Sequence, residues 1–267
     1  MSRAHLIVGG YPAGSTAGHD MDFARRQILN MLEEQANTHT TVSSDFSNIE
    51  KWISGTDLLM TYVAGPYPDD VQCTALNEWL KDGGRWLALH GTSGGKAARI
   101  QGSSQRQMVK LTHHDSLGCF FLNHPPIRKF TVNVANKAHR LTQGLPDSFD
   151  VSDELYLIEL QENCDVLLTT ELVKDPSPEG FGFTYDKDTS LLPDGKTRAL
   201  GYSKTVGQGE VVYVALGHCH SPQTNAQPVV DESVTDGGAP PRIFHGVWDE
   251  PTFAQLIKNG LAWGLAA

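Results

Sequence analysis

The chain has 267 residues, of which 39% are hydrophobic and 19% charged, a balance typical of a globular protein and not of a disordered or fibrous one. Its formal net charge is -10 and it lacks clusters of Lys and Arg, which argues against nucleic acid as a partner. No apolar stretch approaches the roughly 20 residues that span a bilayer, and the first residues lead into a strand-like run without a signal peptide. We therefore expect a cytoplasmic protein that does not associate with membranes.

Cysteine and histidine are distributed very differently along this sequence. The four cysteines form no CxxC pair, which disfavours both a disulfide framework and a thiolate zinc site. We interpret them as reduced structural thiols. The eleven histidines are the residues whose positions are informative.

The first third of the chain alternates between apolar runs and helix-like periodicity. Strands are predicted at residues 4–10, 40–46, 57–65 and 85–90, and helices at residues 20–35 and 69–81. Glycine and proline pairs end several of these segments, as expected for turns. This order predicts an α/β fold in which helices cover both faces of a mainly parallel sheet.

The remainder adds strands, a helix and long insertions to this core. Strands are predicted at residues 129–135, 165–172 and 210–216, and an amphipathic helix at residues 251–264. Residues 91–124 form an elaboration, and residues 176–196 and 221–241 form long surface loops or hairpins. Because no repeat and no long linker divides the chain, we expect a single domain over residues 1–267.

Histidines occur where predicted strands end. His19 lies between the first strand and the first helix, His90 ends the fourth strand, and His218 follows the strand at 210–216 with His220 two residues later. In a parallel sheet, ligands bind at the carboxyl ends of the strands because the following side chains converge there. A single histidine there is ordinarily a core or surface residue, but three such strand ends together favour a common site.

Such a cluster has two chemical uses, and the sequence allows both. Neutral imidazoles bind divalent metals such as zinc, with His19, His90, His218 and His220 as the candidate ligands. Alternatively, His90 and His218 serve as general acids or bases together with a carboxylate. The candidate carboxylate is Glu154, although the pair Asp153-Glu154 also reads as a solvated turn.

Two further motifs carry less weight. His113-His114-Asp115 resembles a metal motif, but adjacent residues point in different directions, so we expect it to be exposed. Residues 94–96, Gly-Gly-Lys, do not fit the spacing of a phosphate-binding loop. No nucleotide cofactor is therefore expected.

Several segments together resemble the ThuA-like (trehalose utilisation) family. The segments that carry the resemblance are residues 18–20, 87–91, 118–125, 138–146, 153–156, 209–218 and 260–263. The resemblance implies a flavodoxin-like sheet of the class I glutamine amidotransferase-like type, with inserted loops. Loops 176–196 and 221–241 are longer than is usual in that family, so the substrate preference could differ from that of its namesake.

The resemblance also identifies one departure from the amidotransferases. Their cysteine nucleophile occupies a turn where this chain has His90, while His218 matches their catalytic histidine. The residues after His218, Cys219 and His220, also differ from the usual Pro-Glu. Glutamine hydrolysis through a thiolate is therefore disfavoured.

The first hypothesis is an enzyme of carbohydrate metabolism that acts on a sugar or keto-glycoside as a hydrolase, lyase or isomerase. In it, His90, His218 and Glu154 are catalytic, while Tyr67, His124 and Tyr156 contact the substrate. The alternative is a non-catalytic ligand-binding or scaffolding domain that retains the fold. A serine nucleophile such as Ser93 is disfavoured because the chain has no Gly-x-Ser-x-Gly elbow. A homo-oligomer is compatible with either hypothesis.

Overall fold

The structure is a computed structural model that describes residues 1–10, 19–224 and 227–266. Gly18, part of the family resemblance, and the predicted loop before it lie outside the described residues, as do two residues of the predicted loop 221–241. The strands are β1 (Ser2–Gly9), β2 (Thr38–Ser43), β3 (Leu58–Val63), β4 (Arg85–Leu89), β5 (Lys96–Arg99), β6 (Arg106–Val109), β7 (Cys119–Asn123), β8 (Arg128–Val134), β9 (Ser148–Asp153), β10 (Leu157–Leu160), β11 (Asp165–Glu171), β12 (Thr197–Val206) and β13 (Gly209–Val214). The helices are α1 (Met21–Glu33), α2 (Ile49–Ile53), α3 (Asp70–Lys81), α4 (His113–Leu117) and α5 (Pro251–Leu265).

Nine of these strands form one central sheet in the order β2-β1-β3-β4-β13-β12-β11-β8-β9. The first five strands in this order are parallel to one another, and the last four continue the sheet in antiparallel pairs. Two antiparallel hairpin-like pairs, β7 with β10 and β5 with β6, lie outside this sheet. The predicted α/β fold with a mainly parallel sheet is confirmed.

The centre of the sheet is buried on both faces. All six residues of β3 are buried, as are the four residues of β4 that follow Arg85. Such continuous apolar runs are characteristic of parallel strands that are covered on both sides. The carboxyl ends of β1, β3, β4 and β13 therefore lie along one edge of the sheet.

The two longer N-terminal helices begin at acidic caps. The Asp20 carboxylate accepts a hydrogen bond from the backbone N–H of Phe23 at the start of α1. At α3, Asp69 and Gln72 form a reciprocal capping box. These caps satisfy N–H groups that the helix itself leaves without partners. Asp20 thereby fixes the start of α1 directly after His19.

No helix in the part of the chain that the structure describes is long and apolar enough to cross a membrane.

Candidate functional site

Four side chains from distant parts of the chain meet at the carboxyl edge of the sheet. They are His19 before α1, His90 after β4, Glu154 after β9 and His218 after β13. One nitrogen or carboxylate oxygen from each lies within 4.8 Å of those from the other three. His19, His90 and His218 thus come together as the sequence predicts, and the segment after the antiparallel strand β9 contributes Glu154, the carboxylate that the sequence also names.

The Glu154 carboxylate lies at the centre of this cluster. Its Oε2 atom is 3.2 Å from His218 Nδ1 and 3.3 Å from His90 Nε2. His19 Nδ1 is 2.9 Å from His218 Nδ1. On its other side, Glu154 Oε1 is 3.5 Å from His124 Nε2 and accepts a hydrogen bond from Gln227.

A strained turn places His90 in the cluster. His90 has φ of +44°, a left-handed conformation that non-glycine residues rarely adopt. The next residue must be small, because a Cβ on Gly91 would lie 2.5 Å from the Val63 carbonyl oxygen. Such strain commonly persists at functional sites where the surrounding structure enforces it.

The hydrogen bond on the far side of His90 fixes its tautomer. His90 Nδ1 lies 2.7 Å from the carbonyl oxygen of Ala215, which can only accept a hydrogen bond. Nδ1 therefore carries the proton, and in the neutral ring Nε2 has a free lone pair. That Nε2 is buried and has no hydrogen-bond partner among the described residues, although it faces the Glu154 carboxylate.

Burial sets the charges of the cluster. It lowers the pKa of His218 to about 4 and, together with the neighbouring His90, holds the pKa of His19 well below its usual value. Burial alone would raise the pKa of Glu154, but His124 and His218 hold it well below its usual value. At neutral pH, neutral His19 and His218 therefore lie against an ionised carboxylate that is only 2% exposed.

Asp153, unlike its neighbour Glu154, accepts hydrogen bonds from backbone N–H groups. Its Oδ2 accepts a hydrogen bond of 2.7 Å from Gly217 N–H, and its Oδ1 accepts from the N–H groups of His218 and Glu154 at 2.9 and 2.7 Å. Burial raises the pKa of this carboxyl to about 7. Asp153 thus ties the end of β9 to the segment after β13, and the reading of Asp153-Glu154 as a solvated turn is wrong.

These donor atoms fit a divalent metal ion. Ligands about 2.1 Å from a tetrahedral zinc lie about 3.4 Å from one another. The separations of 3.2 and 3.3 Å around Glu154 Oε2 are close to that value, while His19 Nδ1 and His218 Nδ1 lie 2.9 Å apart. Neutral imidazoles with one carboxylate form a common zinc ligand set, and the orphaned lone pair of His90 Nε2 points into it.

His220, the other predicted metal ligand, lies behind His218. Its Nδ1 is 3.0 Å from His218 Nε2, on the side of the His218 ring that faces away from Glu154. His220 is not one of the four convergent groups. The fourth group of the cluster is Glu154, where the sequence predicts His220 as the fourth metal ligand.

A cavity of about 440 Å³ opens onto His19 and Glu154. The predicted substrate contacts Tyr67, His124 and Tyr156 all line it. Tyr156 also stacks on His90, with ring centroids 4.1 Å apart, and Tyr67 donates a hydrogen bond to the Gly91 carbonyl. The predicted contacts therefore lie at the cavity that reaches the cluster.

Several cavity residues have no signal in the sequence. Phe181 and Phe183 come from loop 176–196, Gln227 comes from loop 221–241, and Phe121 and Arg106 come from the middle elaboration. Loops carry no periodic pattern that would identify them as inward-facing. Only the tertiary structure shows that both long loops contribute to the cavity wall.

The prediction that His113 and His114 are exposed is wrong. They are 1% and 3% exposed, because the short helix α4 packs beneath the turn that follows His90. His114 Nε2 lies 3.1 and 3.0 Å from the carbonyl oxygens of Ser93 and Gly94, and His113 stacks on Tyr67. Both histidines support the cavity wall and take no part in the four-residue cluster.

Solved structures with a similar fold include two bacterial ThuA-like proteins. The protein from Bacteroides uniformis is 17% identical, with a TM-score of 0.60 over 98% of this chain and 91% of that one. The protein from Parabacteroides merdae is also 17% identical, with a TM-score of 0.58 over 99% and 90% of the two chains. A β-galactosidase from Bacillus circulans matches at 9% identity, with a TM-score of 0.53 over 98% of this chain but 31% of its own length. At these identities the likeness shows a shared fold alone.

A search among curated proteins finds none that matches this sequence. The model of the ThuA family, described as trehalose utilisation, matches residues 12–237. This span includes all four convergent residues and most of the central sheet. The chain therefore belongs to the ThuA family.

Proposed function

We propose that this protein is an enzyme that acts on a sugar or glycoside at a divalent metal site formed by His19, His90, Glu154 and His218. The observation that carries the proposal is the pairing of His90 Nε2 with Glu154 Oε2 at 3.3 Å. His90 Nδ1 donates its proton to the carbonyl oxygen of Ala215, so the lone pair on Nε2 faces the buried Glu154 carboxylate. The lone pair and the carboxylate repel each other, and a cation bound between His90 Nε2 and Glu154 Oε2 would remove this repulsion.

The charge balance supports the same proposal. His19 and His218, both neutral at neutral pH, lie against the ionised Glu154 carboxylate in a buried site. Uncompensated buried charge is unfavourable, so a bound cation stabilises the folded protein. A bound zinc ion would act as a Lewis acid on a hydroxyl or carbonyl oxygen and lower the pKa of a bound water.

The protein's own residues supply the remaining functions. Glu154 Oε1 and His124 Nε2 lie 3.5 Å apart at the cavity, where His124 is placed to transfer a proton to or from a ligand. His124 is 13% exposed, which leaves it accessible from the cavity. Tyr156 fixes the His90 ring by stacking, and the aromatic walls exclude water.

The cavity lining supports a carbohydrate ligand. Five aromatic side chains (Tyr67, Phe121, Tyr156, Phe181 and Phe183) offer apolar faces, while His124, Gln227 and Arg106 offer polar groups. A pocket of mainly apolar walls with a few polar groups is the usual form of a small-molecule site. The family description, trehalose utilisation, points to the same class, with an oxidised (keto) glycoside as the first candidate.

Metal analysis of the purified protein tests the proposal directly. We expect about one bound metal ion per chain in the wild type, and loss of both metal and turnover in His90→Ala and His218→Ala. His39→Ala is the matched control, since His39 is an exposed histidine on β2, outside the cluster. Unchanged metal content in the two site variants, or a wild type that binds no zinc, nickel, manganese or iron, would contradict the proposal.

A second candidate function rests on the number of protein ligands. Four protein groups complete a tetrahedral shell, which is typical of structural zinc sites, whereas catalytic sites keep an open position. In that case the protein binds a sugar without converting it. Stoichiometric metal and ligand binding without turnover of any disaccharide or keto-glycoside would favour this alternative.

A further inference from the structure

A chain of two hydrogen bonds lies behind His218. His218 Nε2 is 3.0 Å from His220 Nδ1, and His220 Nε2 is 3.0 Å from the carbonyl oxygen of Pro241. The Pro241 carbonyl can only accept, so His220 Nε2 carries the proton and His220 Nδ1 is an acceptor. His218 Nε2 must then donate, which leaves the lone pair of His218 on Nδ1.

The His220 ring is held firmly in this orientation. Its backbone pairs with Phe244 through two hydrogen bonds of 2.8 and 2.9 Å, and its ring stacks on Phe244 with centroids 5.6 Å apart. His220 is fully buried. Its Nδ1 therefore stays directed at His218.

The opposite tautomer of His218 has a strong competing partner. His218 Nδ1 lies 3.2 Å from Glu154 Oε2, and a hydrogen bond to a carboxylate is stronger than one to a neutral acceptor. Without an acceptor at Nε2, the proton of His218 would move to Nδ1 and bond to Glu154. That proton would occupy the lone pair that faces the cluster.

We propose that His220 is a positioning residue that holds His218 in the tautomer whose Nδ1 lone pair faces Glu154 and His19. The consequence for metal binding rests on the proposed function, whereas the tautomer itself does not. Partners behind a ligand histidine typically change metal affinity by roughly 10- to 100-fold. His220 would thus act through His218 without contacting the metal or substrate.

The test is ¹⁵N NMR of the His218 ring in metal-free protein, combined with zinc titration by calorimetry. His220→Phe keeps a ring against Phe244 but removes the acceptor, so we expect the His218 proton to move from Nε2 to Nδ1. We also expect zinc affinity to fall roughly 10- to 100-fold. His220→Asn places an amide oxygen near the former Nδ1 position, and we expect it to restore the wild-type tautomer and most of the affinity.

His5→Phe is the matched control. His5 is also fully buried and stacks on Trp52, but it is not part of the four-residue cluster or its hydrogen bonds. We expect it to change neither the His218 tautomer nor zinc affinity. If His220→Phe does not fold, His220→Leu provides the same loss of acceptor.

The inference is overturned if His218 keeps its proton on Nε2 in the variants that lack an acceptor. It is also overturned if His220→Asn loses as much zinc affinity as His220→Phe, because that pattern indicates a packing role. A wild type that binds no metal would refute the proposed function, while the NMR measurement would still decide the role of His220.

Discussion

Asp153 offers a stringent test of how the site is held together. Substituting Asp153 with Ala removes the acceptor for the backbone N–H groups of Gly217, His218 and Glu154. Two of these donors belong to the segment after β13, and the third belongs to the residue that carries the central carboxylate. The substitution therefore releases Glu154 and His218 at once without touching either side chain.

The size of the effect follows from the lost hydrogen bonds. Each buried donor left without an acceptor costs about 1–3 kcal/mol, so Gly217, His218 and Glu154 together give about 3–9 kcal/mol. Removing Asp153 also removes a carboxyl whose pKa burial raises to about 7, which offsets part of the loss. We expect the free energy of unfolding to fall by about 2–4 kcal/mol, and the melting temperature by roughly 5–15 °C.

Urea denaturation of the variant measures this loss, with Asp150→Ala as the matched control. Asp150 lies on the same strand but is exposed, and its carboxylate accepts a bond only from the Thr131 hydroxyl. The control should stay within about 0.5 kcal/mol of the wild type. Zinc affinity should fall at least roughly 10-fold in Asp153→Ala alone. Equal stability and equal zinc affinity in the two variants would refute the role assigned to Asp153.

Three further predictions concern other parts of the fold. Burial lowers the pKa of His5 to about 4, so as the pH falls below 6.5 the unfolded chain binds a proton at His5 before the folded protein does. Between pH 7 and pH 5 the contribution of His5 therefore lowers the free energy of unfolding by about 2 kcal/mol. Urea titrations at the two pH values should show that this contribution is missing in His5→Phe. Arg198 is fully buried and pairs with Asp188 at 2.8 Å, so Asp188→Ala leaves a buried cation without a partner. Urea denaturation should show that Asp188→Ala lowers the free energy of unfolding by about 3–5 kcal/mol. Arg198→Met should lower it less, because that variant contains no buried cation. A Cβ on Gly94 would lie 1.9 Å from the Tyr67 hydroxyl, so Gly94→Ala should lower the free energy of unfolding by about 1–3 kcal/mol and reduce ligand binding, measured by urea denaturation and calorimetry.

The convergence of His19, His90 and His218 could be predicted from the sequence because it depends on the sheet alone. His90 directly follows β4, His218 comes shortly after β13, and His19 lies between β1 and α1. Parallel strands end at the same edge of a sheet. Long apolar runs such as β3 make those strands visible in the sequence. The sequence therefore contained the position of the site and also named Glu154 as its candidate carboxylate.

Glu154 is the carboxylate expected from the sequence, but no pattern there separates it from its neighbour Asp153. Adjacent residues at a strand end point in different directions, and only the long-range contact with Gly217 and His218 shows which one faces the cluster. The proposed role of His220 could not be predicted from the sequence either, because it depends on a hydrogen bond to the distant carbonyl oxygen of Pro241.

The strand β12 escaped prediction because its charged residues are buried. Arg198 and Lys204 are 0% and 6% exposed, yet a pattern of polar and apolar residues places charged side chains at the surface. Arg198 is paired with Asp188, and Lys204 donates to backbone carbonyls and to Gln161. Buried charges of this kind are stable only through such partners, which the pattern of polar and apolar residues does not identify.

The turn at His90 places a side chain at the carboxyl edge of the sheet, and the residue type at that position determines the chemistry that is available there. The strained turn delivers an imidazole lone pair to the cluster, at the position that the resemblance to amidotransferases assigns to their cysteine nucleophile. None of the four cysteines can replace that nucleophile, since burial raises the pKa of every one of them, to about 12 for Cys219, which lies nearest His218 in the chain. A thiol with such a pKa is protonated at neutral pH and is a poor nucleophile. The strand end therefore presents imidazoles and a buried carboxylate, and the described residues place no ionised thiol there.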